Sequence, residues 1–579
     1  MKAWKLLVIV LIFLNIEGTH CGKGESDKLN IKPKQLDLKP EDKKNLASST
    51  SYTPIKIGFD FTPFIKPSSM SSSTFSQIKT ILKETRKEFS KILQVQHTNY
   101  YLTSYRNTIM TNCGLNTIGK DFANFLVTND VIIFPMFSSL GQGVIAKGNH
   151  CLTRGSSQPI AGVLYINSNF NFERNNTNLY LKNILFQKII HILGFNPDTL
   201  RAKSMMQTIN SVTYVNSPNV LSKAKSYFGY SEINGVPLED QDEKIGYHWE
   251  SRYMLGDCMI SPDFPEVSIS DMTLALLEDT GFYKVNYYSG GIFKFGKNKG
   301  RDFFVNDCIN DNYKATFEEF CDTKDEAKCS SSRSLKSSCY INEYSSALPQ
   351  NYQYFSNPKE GGYPNADYCP VPYEEYSSKN YYPNHCQYGT SDLPSYYGEK
   401  IGADSLCFMS SLIPASSGQE ETNQIPICYQ AQCSSNSLII KIGSLSFTCP
   451  TNGGSFTPPG YIGSITCPKY SDICSSNIIC NEMFSCFTQL ANKNSYNYDV
   501  SYYDYEGMAY EEDTVKPTQP PTQRPTQQPT QRPTQRPTPD DDDPEPYHPS
   551  HDDSGLVGWK IALIIASLVL VKVKNNYAN

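Results

Sequence analysis

The sequence has no surplus of basic charge: 52 Lys and Arg stand against 58 Asp and Glu, a formal net charge of −6. A strongly basic nucleic-acid binder is thereby excluded, because no excess cation is left to neutralise phosphates. Tryptophan is scarce, with three residues, and histidine contributes only eight. No Cys-x-x-Cys pairs with a second one, or with His-x-x-x-His, at zinc spacing, so the cysteines do not read as zinc knuckles. Charged residues make up only 19%, but 39 tyrosines bring the aromatic content to 12%, which excludes a wholly disordered chain. A length of 579 is too much for one core and, at about 100–200 residues per domain, suggests about two to four domains.

The 18 cysteines that are present are unevenly spread. Fourteen lie between Cys308 and Cys486, and only Cys21, Cys113, Cys151 and Cys258 lie outside that stretch. With an export signal upstream, such a block reads as disulfides. Residues 1–20 supply that signal: Lys2 and Lys5, the apolar run Leu6 to Ile16, then Gly18 and Thr19 at the cleavage region. The run is too short to span a bilayer. Residues 21–50 are polar and Lys-rich, a pro-segment or linker. At the other end, residues 491–555 are expected to be unfolded: a Tyr-rich and acidic stretch, then a Pro-Thr-Gln stalk over Pro517 to Pro539 favouring polyproline II. Residues 556–573 read either as a transmembrane helix or as a lipid-anchor signal attached at Ser554 or Gly555. Both readings display the protein outside a membrane.

Between these ends the pattern predicts an α+β fold. Strands are expected over Ile55–Phe61, Val131–Phe137 and Ile160–Ile166, and a helix capped by Ser76 with Ile78, Ile81, Leu82 and Phe89 on one face. Asn175 opens an N-glycosylation sequon with Thr177. A helix over Leu179–Leu193 is stopped by Gly194 and Pro197. It is apolar on most sides, yet Asn183, Gln187 and His191 recur at four-residue spacing, which stacks them on one face, with Lys188 alongside. A polar stripe on a buried helix faces polar partners or a cleft. On this helix alone, a hydrogen-bonded core histidine and a cleft histidine both remain open. Cys258 has no evident partner: it pairs with Cys21 if that residue is retained, or stays buried and free.

Several stretches follow one another along the chain: Cys113-Gly, Pro159-Ile-Ala-Gly-Val, His191-Ile-Leu-Gly194-Phe195, Leu238-Glu-Asp-Gln241, His248-Trp-Glu, Met259, Asp279-Thr-Gly-Phe-Tyr283, Asp367-Tyr-Cys-Pro-Val and Ile465-Thr-Cys-Pro. Together they resemble leishmanolysin, the surface zinc metallopeptidase family of the metzincin clan. The resemblance implies a metzincin-like peptidase domain over residues 51–300 and a loop-rich, disulfide-rich domain over 301–490. It also implies a zinc held by three histidines, a Glu acting as general base on zinc-bound water, and a Met-turn beneath the metal. Carried onto this chain, His191 takes the second-ligand place, His248 the third, and Met259 the Met-turn.

Two positions depart from that pattern. Gln187 stands where the first histidine belongs, and Lys188 where the general-base Glu belongs. A neutral amide oxygen is a weak zinc ligand beside imidazole. A protonated lysine has no lone pair with which to take a proton from water. His97 and His150 lack ligand spacing to His191, so neither is expected to rescue the site. The expectation is a membrane-anchored pseudopeptidase that binds proteins or peptides at the cell surface, makes no contact with nucleic acid, and has doubtful zinc occupancy. An active zinc metalloendopeptidase is the alternative.

Overall fold

A central strand sealed on both faces organises the N-terminal half. In the computed structural model, which describes residues 33–35, 48–98, 106–119, 128–141, 143–155, 157–240, 245–260, 266–287, 293–373, 379–420, 423–474 and 482–506, the run Val-Ile-Ile-Phe-Pro-Met-Phe-Ser forms strand Val131–Ser138. A continuous apolar run of this kind suits a strand covered on both sides. Numbered along the chain, the strands of this sheet and its neighbour are β1 (Lys34–Gln35), β2 (Ser48–Pro54), β3 (Ile57–Phe59), β4 (Leu93–Thr98), β5 (Val131–Ser138), β6 (Ala146–Arg154) and β7 (Gln158–Asn167). The main sheet has the order β1-β6-β7-β5-β3. Only the β6–β7 pair is antiparallel. A smaller antiparallel sheet joins β2, β4 and Tyr283–Val285.

Two helices lie against these sheets. Helix α1 (Ser72–Ile92) begins at Ser71, whose hydroxyl accepts from Thr74 N, so the cap lies five residues before the expected Ser76. Helix α2 (Thr177–Leu193) ends at Gly194, as its sequence predicts. It is the most deeply packed helix. Phe186, fully buried, stacks on Phe89 of α1 at 4.5 Å between ring centroids.

The core does not break at residue 301, where the cysteine count places a domain boundary. Phe484 and Phe487, on helix α4 (Met483–Lys493), pack on Phe186 with centroids 5.4 and 6.0 Å away. Tyr381 stacks on Tyr180 of α2 at 3.9 Å. The cysteine-rich stretch therefore contributes aromatic groups to the cluster that encloses α2. It also contains a six-stranded antiparallel sheet built from segments between Ser405 and Cys467, with its own smaller core around Phe408, Tyr429 and Ile440. This stretch is thus more regular than the expected loops.

Seven disulfides occur among the described residues: Cys113–Cys151, Cys308–Cys369, Cys321–Cys339, Cys329–Cys407, Cys386–Cys428, Cys433–Cys474 and Cys449–Cys467. Cys258 is buried and reduced, and burial followed by the charge of Asp257 pushes its thiol well above the ordinary range. Such a thiol is a small apolar side chain rather than a nucleophile.

Both ends of the folded region reach further than the sequence suggests. Lys34 and Gln35, from the stretch 21–50 read as pro-segment or linker, pair in parallel with Leu152 and Thr153 of β6. Ser48–Pro54 is a strand paired with β4. Residues 491–506, expected to be unfolded, pack back on the domain. Phe61 N donates to Tyr505 O at 2.7 Å, Tyr505 N donates to Phe59 O at 3.0 Å, and Asp504 pairs with Arg86. The outer edge of β3 is buried, and the returning chain satisfies backbone groups that would otherwise be costly to leave unpaired.

Contacts divide the chain into Met1–Tyr510 and Glu511–Asn579. The second unit, with the Pro-Thr-Gln stalk and the apolar segment 556–573, lies outside the described residues, as do the signal segment 1–20 and Cys21. Among the described residues no helix is long and apolar enough to cross a membrane.

Candidate functional site

Helix α2 carries the polar stripe into the interior, and each member has a defined neighbour. Asn183 Nδ2 donates to Tyr382 Oη at 2.9 Å. Gln187 Nε2 donates to Ile260 O at 3.0 Å, which ties α2 to the residue after Met259. Lys188 is only 1% exposed, and its Nζ donates to Gln187 Oε1 at 2.9 Å. The helix approaches β6 closely at this point. A Cβ on Gly148 would stand 2.6 Å from Lys188 O, so only glycine lets the strand and helix meet here.

His191 is also 1% exposed. Its Nδ1 lies 2.8 Å from Phe195 O, and since a carbonyl only accepts, Nδ1 carries the hydrogen. That leaves Nε2 as the nitrogen turned away from this contact, the one that a metal-binding imidazole of this orientation uses. The turn that brings Phe195 O under the ring needs Gly194, whose φ of +143° is open to glycine. His248, 4% exposed, lies beside His191 with ring centroids 5.3 Å apart. The two histidines that the resemblance assigns as ligands, far apart in sequence, therefore come together.

The loop carrying Met259 is fixed from beneath. Trp249 N donates to Met259 O at 2.9 Å, so Met259 lies against the residue that follows His248. The carboxylate of Asp257 accepts from Met259 N at 2.7 Å, Ser270 N at 2.8 Å and Thr273 Oγ1 at 2.9 Å. Thr273 belongs to helix α3 (Asp271–Asp279) and also accepts from Trp249 Nε1 at 2.7 Å. Asp257 was not singled out by the sequence. Its place two residues before Met259 was the available signal.

A second feature escaped the sequence reading. Glu239, Asp240 and Glu250 bring carboxylate oxygens within 4.8 Å of one another. Leu238 and Trp249 form a β-bridge, and Glu239 N donates to His248 O at 3.0 Å, which carries the two acidic stretches together. Burial, then the charges of Glu239, Asp367 and Asp240, hold the Glu250 carboxyl well above its ordinary range. The motif stretches Leu238-Glu-Asp and His248-Trp-Glu contain these residues, but their meeting is a tertiary event.

The other sequence candidates do not enter the site. His150 lies on β6 with Nδ1 3.1 Å from Asn196 Nδ2, and burial pushes it down to about 4. His97 pairs with Asp130 at 2.7 Å. Asn175 is exposed at the start of α2, beside Lys379, whose carbonyl accepts from its backbone N–H at 2.9 Å.

A family model described as Leishmanolysin matches residues 76–480, more than half of the chain, and the chain belongs to this zinc metallopeptidase family. Among its relatives, a leishmanolysin homolog of Crithidia fasciculata is 27% identical over 421 residues, 68% of this chain and 62% of that protein. The leishmanolysin of Leishmania tropica is 24% identical over 386 residues, 62% of this chain and 56% of the other. A ciliated left-right organizer metallopeptidase of Danio rerio is 27% identical over 396 residues, 63% and 58% of the two chains. The match thus spans less than two thirds of the length of these relatives.

The residues present do not fit the three-imidazole zinc set that the resemblance implies. His191 and His248 supply two imidazoles. Gln187, which the resemblance assigns to the third place, has an amide oxygen that already accepts from Lys188. Among the described residues, no third His, Cys, Asp or Glu joins the two histidines within metal-binding reach. Lys188, which the resemblance assigns to the general-base place, supplies an amine where a carboxylate would be needed to orient and deprotonate water.

Proposed function

We propose that this chain is a non-cutting leishmanolysin-family protein of metzincin architecture, displayed outside the cell, which holds proteins or peptides at the surface. The observation that carries this reading is the contact of Lys188 Nζ with Gln187 Oε1 at 2.9 Å. It joins the two departures from the family pattern into one internal contact at the place of a zinc ligand and a general base. Loss of general-base catalysis alone lowers rates by about 10²–10⁴-fold. The seven disulfides support an oxidising, extracytoplasmic location. Anchoring through 556–573, by a helix or by a lipid, and an N-glycan on Asn175 complete the proposal.

A zinc metalloendopeptidase is the second reading, and the 5.3 Å juxtaposition of His191 and His248 is what favours it. One experiment separates the two. The full chain is expressed, zinc per chain is measured, and cleavage of a denatured protein is assayed with and without a chelator. No stoichiometric zinc and no chelator-sensitive cleavage are expected; finding both overturns the proposal. In the double variant Gln187→His, Lys188→Glu, zinc binding is expected to appear. If it does not in a folded variant, the assignment of these two places is wrong.

A further inference from the structure

Away from α2, a cavity of about 550 Å³ opens between the segment following α3 and the six-stranded sheet of the cysteine-rich half. It lies within the size range of small-ligand sites, about 300–1,000 Å³. Its lining is unusual for a chain of net charge −6. Six cationic side chains, Lys294, Lys297, Lys299, Lys328, Arg333 and Lys469, face three carboxylates, Glu318, Glu319 and Asp472. Two of those carboxylates are already engaged, since Lys299 Nζ lies 2.6 Å from Glu318 and 3.4 Å from Glu319. Lys328 Nζ donates to Phe320 O at 2.8 Å and Arg333 Nη1 to Cys407 O at 3.2 Å, both neutral acceptors.

The cavity therefore holds more positive charge than its own carboxylates balance. Burial opposes that charge: it lowers Lys328, holds Arg333 down to about 10 and, with Lys297 beside it, Lys294 down to about 7. A bound anion would relieve the same penalty. The walls are also braced in advance. Cys329 and Cys467 line the cavity and are bonded to Cys407 and Cys449, and Cys474, next to the lining residue Ile473, is bonded to Cys433. Such a frame needs little ordering on binding.

We propose that this cavity binds a multiply charged oxyanion, the phosphate or sulfate group of an extracellular ligand. Guanidinium and ammonium groups suit tetrahedral oxygens, and Ser331 adds a hydroxyl to the lining. The site is independent of the cleft around His191, and stands whether or not that cleft cuts.

Calorimetric titration of the full chain at low ionic strength tests it, using inorganic phosphate, inorganic sulfate, and a sulfated disaccharide beside its unsulfated form. Saturable binding of the inorganic ions is expected, falling as sodium chloride is raised. Tighter binding of the sulfated disaccharide than of free sulfate identifies a sulfated glycan as the source; binding of the free ions alone identifies a free-ion site. In Lys297→Glu, Lys469→Glu affinity is expected to fall about tenfold or more. Lys469 is exposed and Lys297 half-buried, so the fold is expected to survive. If it does not, Lys469→Gln alone is expected to weaken binding measurably. Absence of saturable binding in the wild type overturns the proposal, as does unchanged affinity in the folded variants.

Discussion

The two halves of the folded chain are held by different forces. Around α2 the N-terminal half buries a large apolar cluster and has one disulfide among the described residues, Cys113–Cys151. The cysteine-rich half has a smaller sheet core and six described disulfides. The difference teaches where each half tolerates change. Apolar packing is sensitive to volume, whereas a cross-linked sheet depends on redox state. The seam between them is apolar, because Phe484 and Phe487 of the second half close over Phe186 of the first.

Phe186→Ala attacks the first half and the seam together. The ring is fully buried between Phe89, Phe484 and Phe487, so truncation leaves a cavity that rigid neighbours cannot fill. A loss of about 3–5 kcal/mol is expected. Urea denaturation measures it, and a loss below about 1 kcal/mol would mean that the seam is not a shared core.

Removing Cys329–Cys407 by a double Ala substitution attacks the second half. It closes a long loop, with a sequence separation of 78, and a loss of about 2–4 kcal/mol is expected. Hydrogen exchange localises the effect: amides of Ser405–Ser410 and Ile425–Ser434 are expected to exchange faster, while those of α2 keep their protection. Uniform loss of protection would instead make the two halves one cooperative unit.

Acid probes both halves at once, because each hides a neutral histidine. Burial pushes His150 down to about 4 and His385 to about 3. Gln387 N donates to His385 Nδ1 at 3.0 Å, a bond that a protonated nitrogen would break. Below the ordinary 6.5, the unfolded chain takes up protons that the fold refuses. Stability from these rings is therefore complete above 6.5 and declines as pH falls toward about 4. The slope is at most about 1.4 kcal/mol per pH unit per ring. Buried carboxyls such as Glu250 and Glu266, held above their ordinary range, act in the opposite sense. The comparison is thus of slopes: His150→Gln and His385→Gln are each expected to flatten the acid limb, and an unchanged limb in either would place that ring in contact with solvent.

Much of this arrangement was legible in the residues, and the remainder has physical reasons. The span of α2, its stop at Gly194 and the strands around Val131 and Ile160 follow from apolar runs and turn chemistry. The pairing of His191 with His248 follows from the family resemblance. What periodicity cannot encode is long-range closure. The return of Tyr505 to β3 and the meeting of Glu239 with Glu250 depend on which edges lie open after folding. The shared core at Phe186 was hidden because cysteine density marks cross-linking, which is a different property from separation into domains.

Lys188 supplies the smallest effect and the sharpest use of the comparison. Its surroundings limit what the amine contributes to stability. Nζ donates to Gln187 Oε1, an uncharged acceptor, and the residue sits on a helix that apolar packing already holds. Removing Lys188 alone leaves Gln187 Oε1 without this donor, which costs about 1–3 kcal/mol for a fully buried acceptor and less for one that is half-buried, as Gln187 is. Lys188→Met is therefore expected to cost about 1–2 kcal/mol, below Phe186→Ala in the same helix. If Lys188→Met instead unfolds the chain as readily as Phe186→Ala, the amine holds the cleft together, and the N-terminal half is not held by apolar burial alone.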